Sequence, residues 1–288
     1  MNIAVASGKG GTGKTTVATS LALSLPNGAT PLFLDCDVEE PNAALFLNPT
    51  FDQRQEVGIL IPEVNYDRCT FCGRCAEVCV WHAIAVVGQK VLVFPELCHG
   101  CGSCTLNCPE GAIDEVLHVM GDLESGQAGP ITFGHGILNV GEAMAVPIIR
   151  QLKAKHMANR DHGVTILDAS PGTSCPVVET MRGADFVLLV TEPTPFGLHD
   201  LRLTVQVARD ELSLPVGVVV NRDGIGDAGV DEYCAAEGVP ILMRIPLDRR
   251  IAEAISGGKA LVEALPEYRP QFRALYEQIV RLSAQKRT

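Results

Sequence analysis

An apolar run at residues 3–6 (Ile-Ala-Val-Ala) ends in Gly8-Lys9-Gly10-Gly11-Thr12-Gly13-Lys14-Thr15, which fits the spacing G-x-x-x-x-G-K-S/T. Beyond it Val17, Ala18, Leu21 and Leu25 recur at helical spacing until Pro26 and Gly28 end the pattern. Strand, glycine loop and helix in this order constrain the chain more than any other feature. Each part answers a physical demand. Glycines let backbone N–H groups curl around phosphates, and the helix start adds positive potential. Lys14 reaches the β- and γ-phosphates, and the Thr15 hydroxyl ligates Mg²⁺. Gly8, Gly10, Gly11, Thr12, Gly13, Lys14, Thr15 and Thr16 are therefore expected to hold ATP and Mg²⁺.

Further continuous apolar runs lie at 32–34, 164–167, 186–190, 216–220 and 241–245. Runs that do not alternate suit parallel strands covered on both faces. Helical stretches near 139–158, 197–213, 228–237, 248–256 and 270–285 separate them. The expected class is α/β, a mostly parallel, doubly wound sheet.

Residues 57–118 break this rhythm. Eight of the 11 cysteines fall between 69 and 108, in two runs offset by 29: Cys69, Cys72, Cys75 and Cys79 map onto Cys98, Cys101, Cys104 and Cys108. Ala83-Ile84 maps onto Ala112-Ile113 in the same way. An odd cysteine total, clustered rather than scattered, argues for metal ligation over a secreted disulfide framework. The spacing is that of bacterial two-cluster ferredoxins, in which the fourth cysteine of each run ligates the other cluster. That resemblance implies Cys69, Cys72, Cys75 and Cys108 on one 4Fe–4S cluster and Cys98, Cys101, Cys104 and Cys79 on a second. Paired zinc sites are the competing reading, although zinc motifs seldom place three ligands in such a run twice over. Val80 stands where the ferredoxin pattern has Pro. The expected division is residues 1–56 and 119–288 for the larger domain, with a small ferredoxin-type α+β domain at 57–118. The glycine-rich stretch 119–141 reads as the return loop.

Lys9 narrows the resemblance. Lys-Gly-Gly-x-Gly-Lys-Thr-Thr is similar to the deviant phosphate loop of the MinD/ParA/Mrp and nitrogenase iron protein superfamily. Asp35-Cys36-Asp37-Val38-Glu39-Glu40-Pro41-Asn42 resembles its switch I, and Asp168-Ala169-Ser170-Pro171-Gly172 its switch II. The resemblance implies an ATPase whose Asp37 orients the attacking water and whose Asp168 holds the Mg²⁺ water shell. It further implies that Asn221 reads adenine, that Ile245–Arg249 lie near the base, and that Lys9 reaches a partner's nucleotide in an ATP-dependent homodimer. Cys175 is expected to be an ordinary buried thiol, with an interfacial role as the alternative, and His99 a solvated loop residue. Phe272, Leu275, Ile279 and Leu282, flanked by Arg273, Arg281, Lys286 and Arg287, read as a terminal helix packed on the sheet rather than on a membrane.

The net charge of −11 makes the chain a poor candidate for unaided nucleic-acid binding, and none is expected. Two loaded clusters would take it to about −15, so a protein partner should present a basic surface. No apolar run approaches the roughly 18 residues of a membrane span. Lys9 and its glycines follow too soon after the first residues for a signal peptide, so a cytoplasmic location is expected. The leading reading is a redox-linked ATPase acting with an unidentified redox or client protein. The alternatives are a spatial-organisation ATPase with a structural or redox-sensing cluster module, and an iron–sulfur cluster carrier.

Overall fold

A computed structural model describes residues 1–26, 28–158 and 163–285. Lys286 and Arg287 lie outside the described residues. Eleven strands form among those described. β1 (Asn2–Ser7), β2 (Leu32–Asp35), β8 (Thr165–Pro171), β9 (Phe186–Thr191), β10 (Val216–Asp223) and β11 (Ile241–Pro246) coincide with the six apolar runs. β3 (Thr50–Val64), β6 (Ile113–Ala128) and β7 (Ile131–Leu138) extend the same sheet, and β4 (Ile84–Val87) pairs with β5 (Lys90–Val93) as a separate hairpin.

The nine-stranded sheet has the order β11-β10-β9-β1-β8-β2-β7-β6-β3. It is parallel from β11 through β7, and antiparallel only at β7–β6 and β6–β3. Helices cover both faces. Lys14–Ser24 and Arg269–Gln285 pack on one side and Val146–Met157 and Cys175–Met181 on the other, each over its own apolar cluster. Phe272, Leu275 and Ile279 are fully buried against that sheet, as the stripe on the terminal helix predicts. Among the described residues no helix is long and apolar enough to cross a membrane.

The stretch 119–141 is not a loop. It supplies the inner half of β6 and all of β7. Its glycines mark close backbone approach: a Cβ at Gly121 would overlap the Ile137 carbonyl, and one at Gly126 the Thr50 carbonyl. Nor does strand pairing stop at residue 57. β3 and β6 run on together as an antiparallel arm, from Thr50↔Gln127 to Val64↔Ile113. The register slips between Val57 and Gly58, where Met120 is the extra residue of a bulge. Such a bulge bends a ribbon and increases its twist.

Residues 65–112 cap the tip of the arm, and the 29-residue repeat persists in their backbone. Short helices Arg74–Glu77 and Ser103–Leu106 correspond, each preceded by a left-handed glycine, Gly73 or Gly102. Phe71 (φ 58°) matches Gly100 (φ 61°), and His82 (φ 52°) matches Gly111 (φ 55°). The hairpin β4–β5 repeats the tip of the arm, since Ile84↔Val93 corresponds to Ile113↔Val64.

Candidate functional site

The phosphate loop joins the C-terminal end of β1 to the helix Lys14–Ser24, whose cap is Gly13 at φ 91°. Only glycine suits this position: φ is left-handed, and a Cβ would overlap the Asn221 side-chain nitrogen. Asn221 Nδ2 donates to Thr12 O at 2.7 Å. The amide expected to read adenine thus holds the loop itself. A cleft of about 350 Å³ opens over the loop, lined by residues 9–16 together with Asp37, Asn42, Asn221 and the Pro246–Asp248 turn. Of the Ile245–Arg249 stretch expected near the base, Pro246, Leu247 and Asp248 line the cleft. The volume falls in the range of small-ligand sites.

Parallel register sets Asp35 of β2 directly beside Asp168 of β8, both fully buried. Lys14 Nζ donates to Asp168 Oδ1 at 2.9 Å. Burial opposes the lysine's charge most strongly, but Asp168 together with Asp37 and Asp35 outweighs it and holds the Lys14 pKa above its usual value. Asp35 is pushed up to about 7, by burial first and by neighbouring Asp168 second. Asp37 is pushed up to about 6, by burial and then against the opposing pull of Lys14. Asp168 Oδ2 is buried with no hydrogen-bond partner. An orphaned carboxylate oxygen among three acids suits a hydrated Mg²⁺, which prefers one or two carboxylates and its own waters.

The sequence carried two further residues, Asp35 and Glu192, whose partners it did not reveal. Asp35 accepts N–H bonds from Asp37 (3.1 Å), Asn42 (3.0 Å) and Ala43 (2.9 Å), and so anchors the switch I segment. Glu192, almost fully buried after β9, takes Lys9 Nζ at 2.9 Å on one oxygen and the Arg222 guanidinium on the other. Within a single chain Lys9 therefore has a partner of its own. An acid directly after a strand of the parallel sheet was the available signal.

Eight of the cysteines line two cavities at the arm tip. All eleven thiols are free of disulfides. One cavity at the arm tip is lined by Cys69, Cys72, Cys75 and Cys108, with Val64, Val86, Val91 and Ile113. Another is lined by Cys79, Cys98, Cys101 and Cys104, with Leu60, Pro62 and Ile84. Each cavity thus takes three cysteines from one repeat and the fourth from the other. Ala83 N donates to Cys79 Sγ and Ala112 N to Cys108 Sγ, both at 3.3 Å and 29 residues apart. Gly100 N donates to Cys98 Sγ at 3.5 Å. Burial pushes the thiols of Cys75, Cys98 and Cys104 up. Among the described residues no three His, Cys, Asp or Glu side chains gather as a site for a metal ion. His99 is exposed but not merely solvated: it stacks on Trp81, with ring centroids 3.6 Å apart. Val80, in the position of the usual Pro, is largely exposed. Cys175 is exposed at the start of the helix Cys175–Met181, not buried as expected.

Strand, glycine loop, capped helix, buried lysine and flanking carboxylates define a nucleotide-binding protein of the phosphate-loop class. Residues 3–262 match the CobQ/CobB/MinD/ParA nucleotide binding domain, and the chain belongs to that family. It is 32% identical over 272 residues to the uncharacterized protein MJ0579 of Methanocaldococcus jannaschii, covering 91% of this chain and 92% of that one. It is 24% identical over 291 residues to the cytosolic Fe-S cluster assembly factor NUBP2 of Rattus norvegicus, covering 92% and 86%. Its fold is like that of the septum site-determining protein MinD of Pyrococcus horikoshii, solved with Mg-ADP. There the TM-score is 0.59 and identity 20%, over 96% of this chain and 95% of that one.

Proposed function

We propose that this chain is a Mg²⁺-dependent ATPase and iron–sulfur protein, in which nucleotide state is linked to electron transfer through two 4Fe–4S clusters. The observation that carries the proposal is the pair of cavities, each lined by four cysteines drawn crosswise from the two repeats. Crosswise ligation is the arrangement of two-cluster ferredoxins. Cys69, Cys72, Cys75 and Cys108 would hold one cluster; Cys98, Cys101, Cys104 and Cys79 the other. When bound, the clusters supply one-electron carriers whose potentials respond to N–H donation at sulfur. We place the border of the ferredoxin-type domain at the bulge, so that 57–118 form it and 1–56 with 119–288 the ATPase.

At the nucleotide site Lys14 and the loop N–H groups bind phosphate, while Thr15 and Asp168 would hold Mg²⁺, which when bound offsets charge on the phosphates. Asp37, at the cleft, orients the attacking water. Asp35 keeps that segment in place through three backbone bonds. Lys9 leaves Glu192 to reach the partner's nucleotide in an ATP-dependent homodimer. A cytoplasmic location and a redox or client partner with a basic surface complete the reading.

The deciding experiment is composition. Protein purified without oxygen is expected to carry about eight iron and eight acid-labile sulfide per chain. Two zinc ions and no sulfide would overturn the iron–sulfur reading. Assembly supplies a second check. Light scattering should show ATP shifting monomer to dimer, and Lys9→Ala should reverse most of that shift. An unchanged mass with ATP would remove the dimer from the proposal.

A second reading, delivery of clusters to client proteins, is favoured by the similarity to a cluster assembly factor. The two readings part on a transfer assay. A carrier passes iron and sulfide to an apo-ferredoxin, whereas an electron-transfer protein retains them.

A further inference from the structure

We propose that the bulge at Gly58 and Met120, where the arm leaves the sheet, is the junction through which both nucleotide switches act on the cysteine module. This deepens, and rests on, the reading of that module as the redox partner of the ATPase. Three sets of contacts converge there.

The first comes from switch I. Leu138 N donates to Val38 O, and the next residue, Asn139, donates to Met120 O, both at 2.8 Å. Val38 follows Asp37, and Met120 is the extra residue of the bulge. Two consecutive peptide groups thus span the distance from switch segment to bulge. The turn that follows is fixed to the arm as well, because His118 Nε2 and Glu142 Oε1 lie 2.9 Å apart.

The second comes from switch II. The loop after Asp168 leads into the helix Cys175–Met181. Its C-terminal carbonyls at Glu179, Thr180 and Arg182 accept from Lys153 Nζ at 2.6, 3.2 and 2.6 Å, and Arg150 pairs with the Glu179 side chain at 3.1 Å. Lys153 and Arg150 belong to the helix Val146–Met157. On the same helix, Gln151 Nε2 donates to Gly58 O at 2.8 Å, on the opposite strand of the bulge from Met120. Ile148, one turn earlier, packs over Gly121.

The third leads outward. Gly100, between Cys98 and Cys101, presses on the arm so closely that a Cβ there would lie 3.1 Å from Ile59 Cβ and 3.2 Å from Leu60 O. Leu60 and Pro62 line the Cys79/Cys98/Cys101/Cys104 cavity, whereas Val64 lines the other. The second cysteine set is therefore proximal, two residues beyond the bulge, and the first is distal. Packed elements joined by rigid hydrogen bonds shift between discrete arrangements rather than deform smoothly. Of the two register shifts in this ladder, at Phe51/Gln53 and at Val57/Gly58, the second lies at the arm root, where a bulge bends and twists the ribbon.

Hydrogen exchange on the full chain tests this, with and without a non-hydrolysable ATP analogue. In wild type the analogue should change exchange by roughly fivefold or more in peptides covering 57–61 and 117–121, as well as in the switches. In Gln151→Leu, which keeps side-chain volume and lies away from the cleft, the arm-root response should shrink while analogue affinity stays the same. Glu142→Gln, which weakens the tie to His118, should shrink it independently. An arm root indifferent to the analogue while the switches respond overturns the junction, as does a full response in both variants. Iron content plays no part in this measurement, so the junction and the iron–sulfur reading can fail separately.

Discussion

Lys14→Ala is expected to weaken ATP binding by more than about 100-fold, a loss of roughly 2.7 kcal/mol in a titration with a fluorescent ATP analogue. The lysine is buried against Asp168, with Asp35 beside it. Without it the phosphates lose their nearest point charge and meet two facing carboxylates instead. The nucleotide-free protein should suffer too, because breaking a buried ion pair costs about 3–5 kcal/mol. A lower thermal midpoint that Mg²⁺ partly restores would trace the damage to those carboxylates. Binding at wild-type affinity would remove Lys14 from the site.

Asp37→Ala should separate binding from chemistry. Asp37 reaches the cleft without contributing to the loop's backbone cradle, so ATP affinity should change little while steady-state phosphate release falls by at least about 100-fold, as when a water-positioning group is lost. The pH profile gives the sign. In the proposed role Asp37 must be ionised to orient water, and its carboxyl is pushed up to about 6. Turnover should therefore be full above that value and fall as pH drops through it. A profile flat from pH 5 to 8, or a variant at wild-type rate, would reassign the role.

Much of this site was legible because its chemistry is local. A phosphate loop needs contiguous glycines, a lysine and a hydroxyl, and all six apolar runs became strands because burial on both faces leaves no alternation to misread. The cysteine sets were legible for the same reason: a 29-residue repeat survives as paired left-handed positions. What stayed hidden depends on tertiary pairing. β3 is an edge strand whose first half, Thr50–Glu56, is exposed and polar, so periodicity had nothing to register. Gly121, Gly126, Gly134 and Gly136 read as a loop, yet each sits where a neighbouring strand or helix crowds the backbone. The partner of Lys9 is Glu192, 183 residues away but at the end of the adjacent strand β9, a neighbour only strand order reveals. Cys175 was judged by composition, which favours burial for thiols, and the helix start carries it outward.

The arm also decides how the protein can come to be folded. β3 and β6 are each a single strand shared by the nucleotide-binding sheet and the cysteine module, and their ladder closes only when distant parts of the chain meet. Pairing of this kind is slow, because loop-closure entropy is spent before contacts reward it. Metal ligation supplies folding free energy to a small domain with little core of its own. With no linker to uncouple the two, clusters bound at the tip as proposed would also secure the outermost strands of the nucleotide-binding sheet. On that proposal a chain starved of iron would carry a frayed sheet edge as well as an empty module, and loading of the tip and completion of the sheet would become one event.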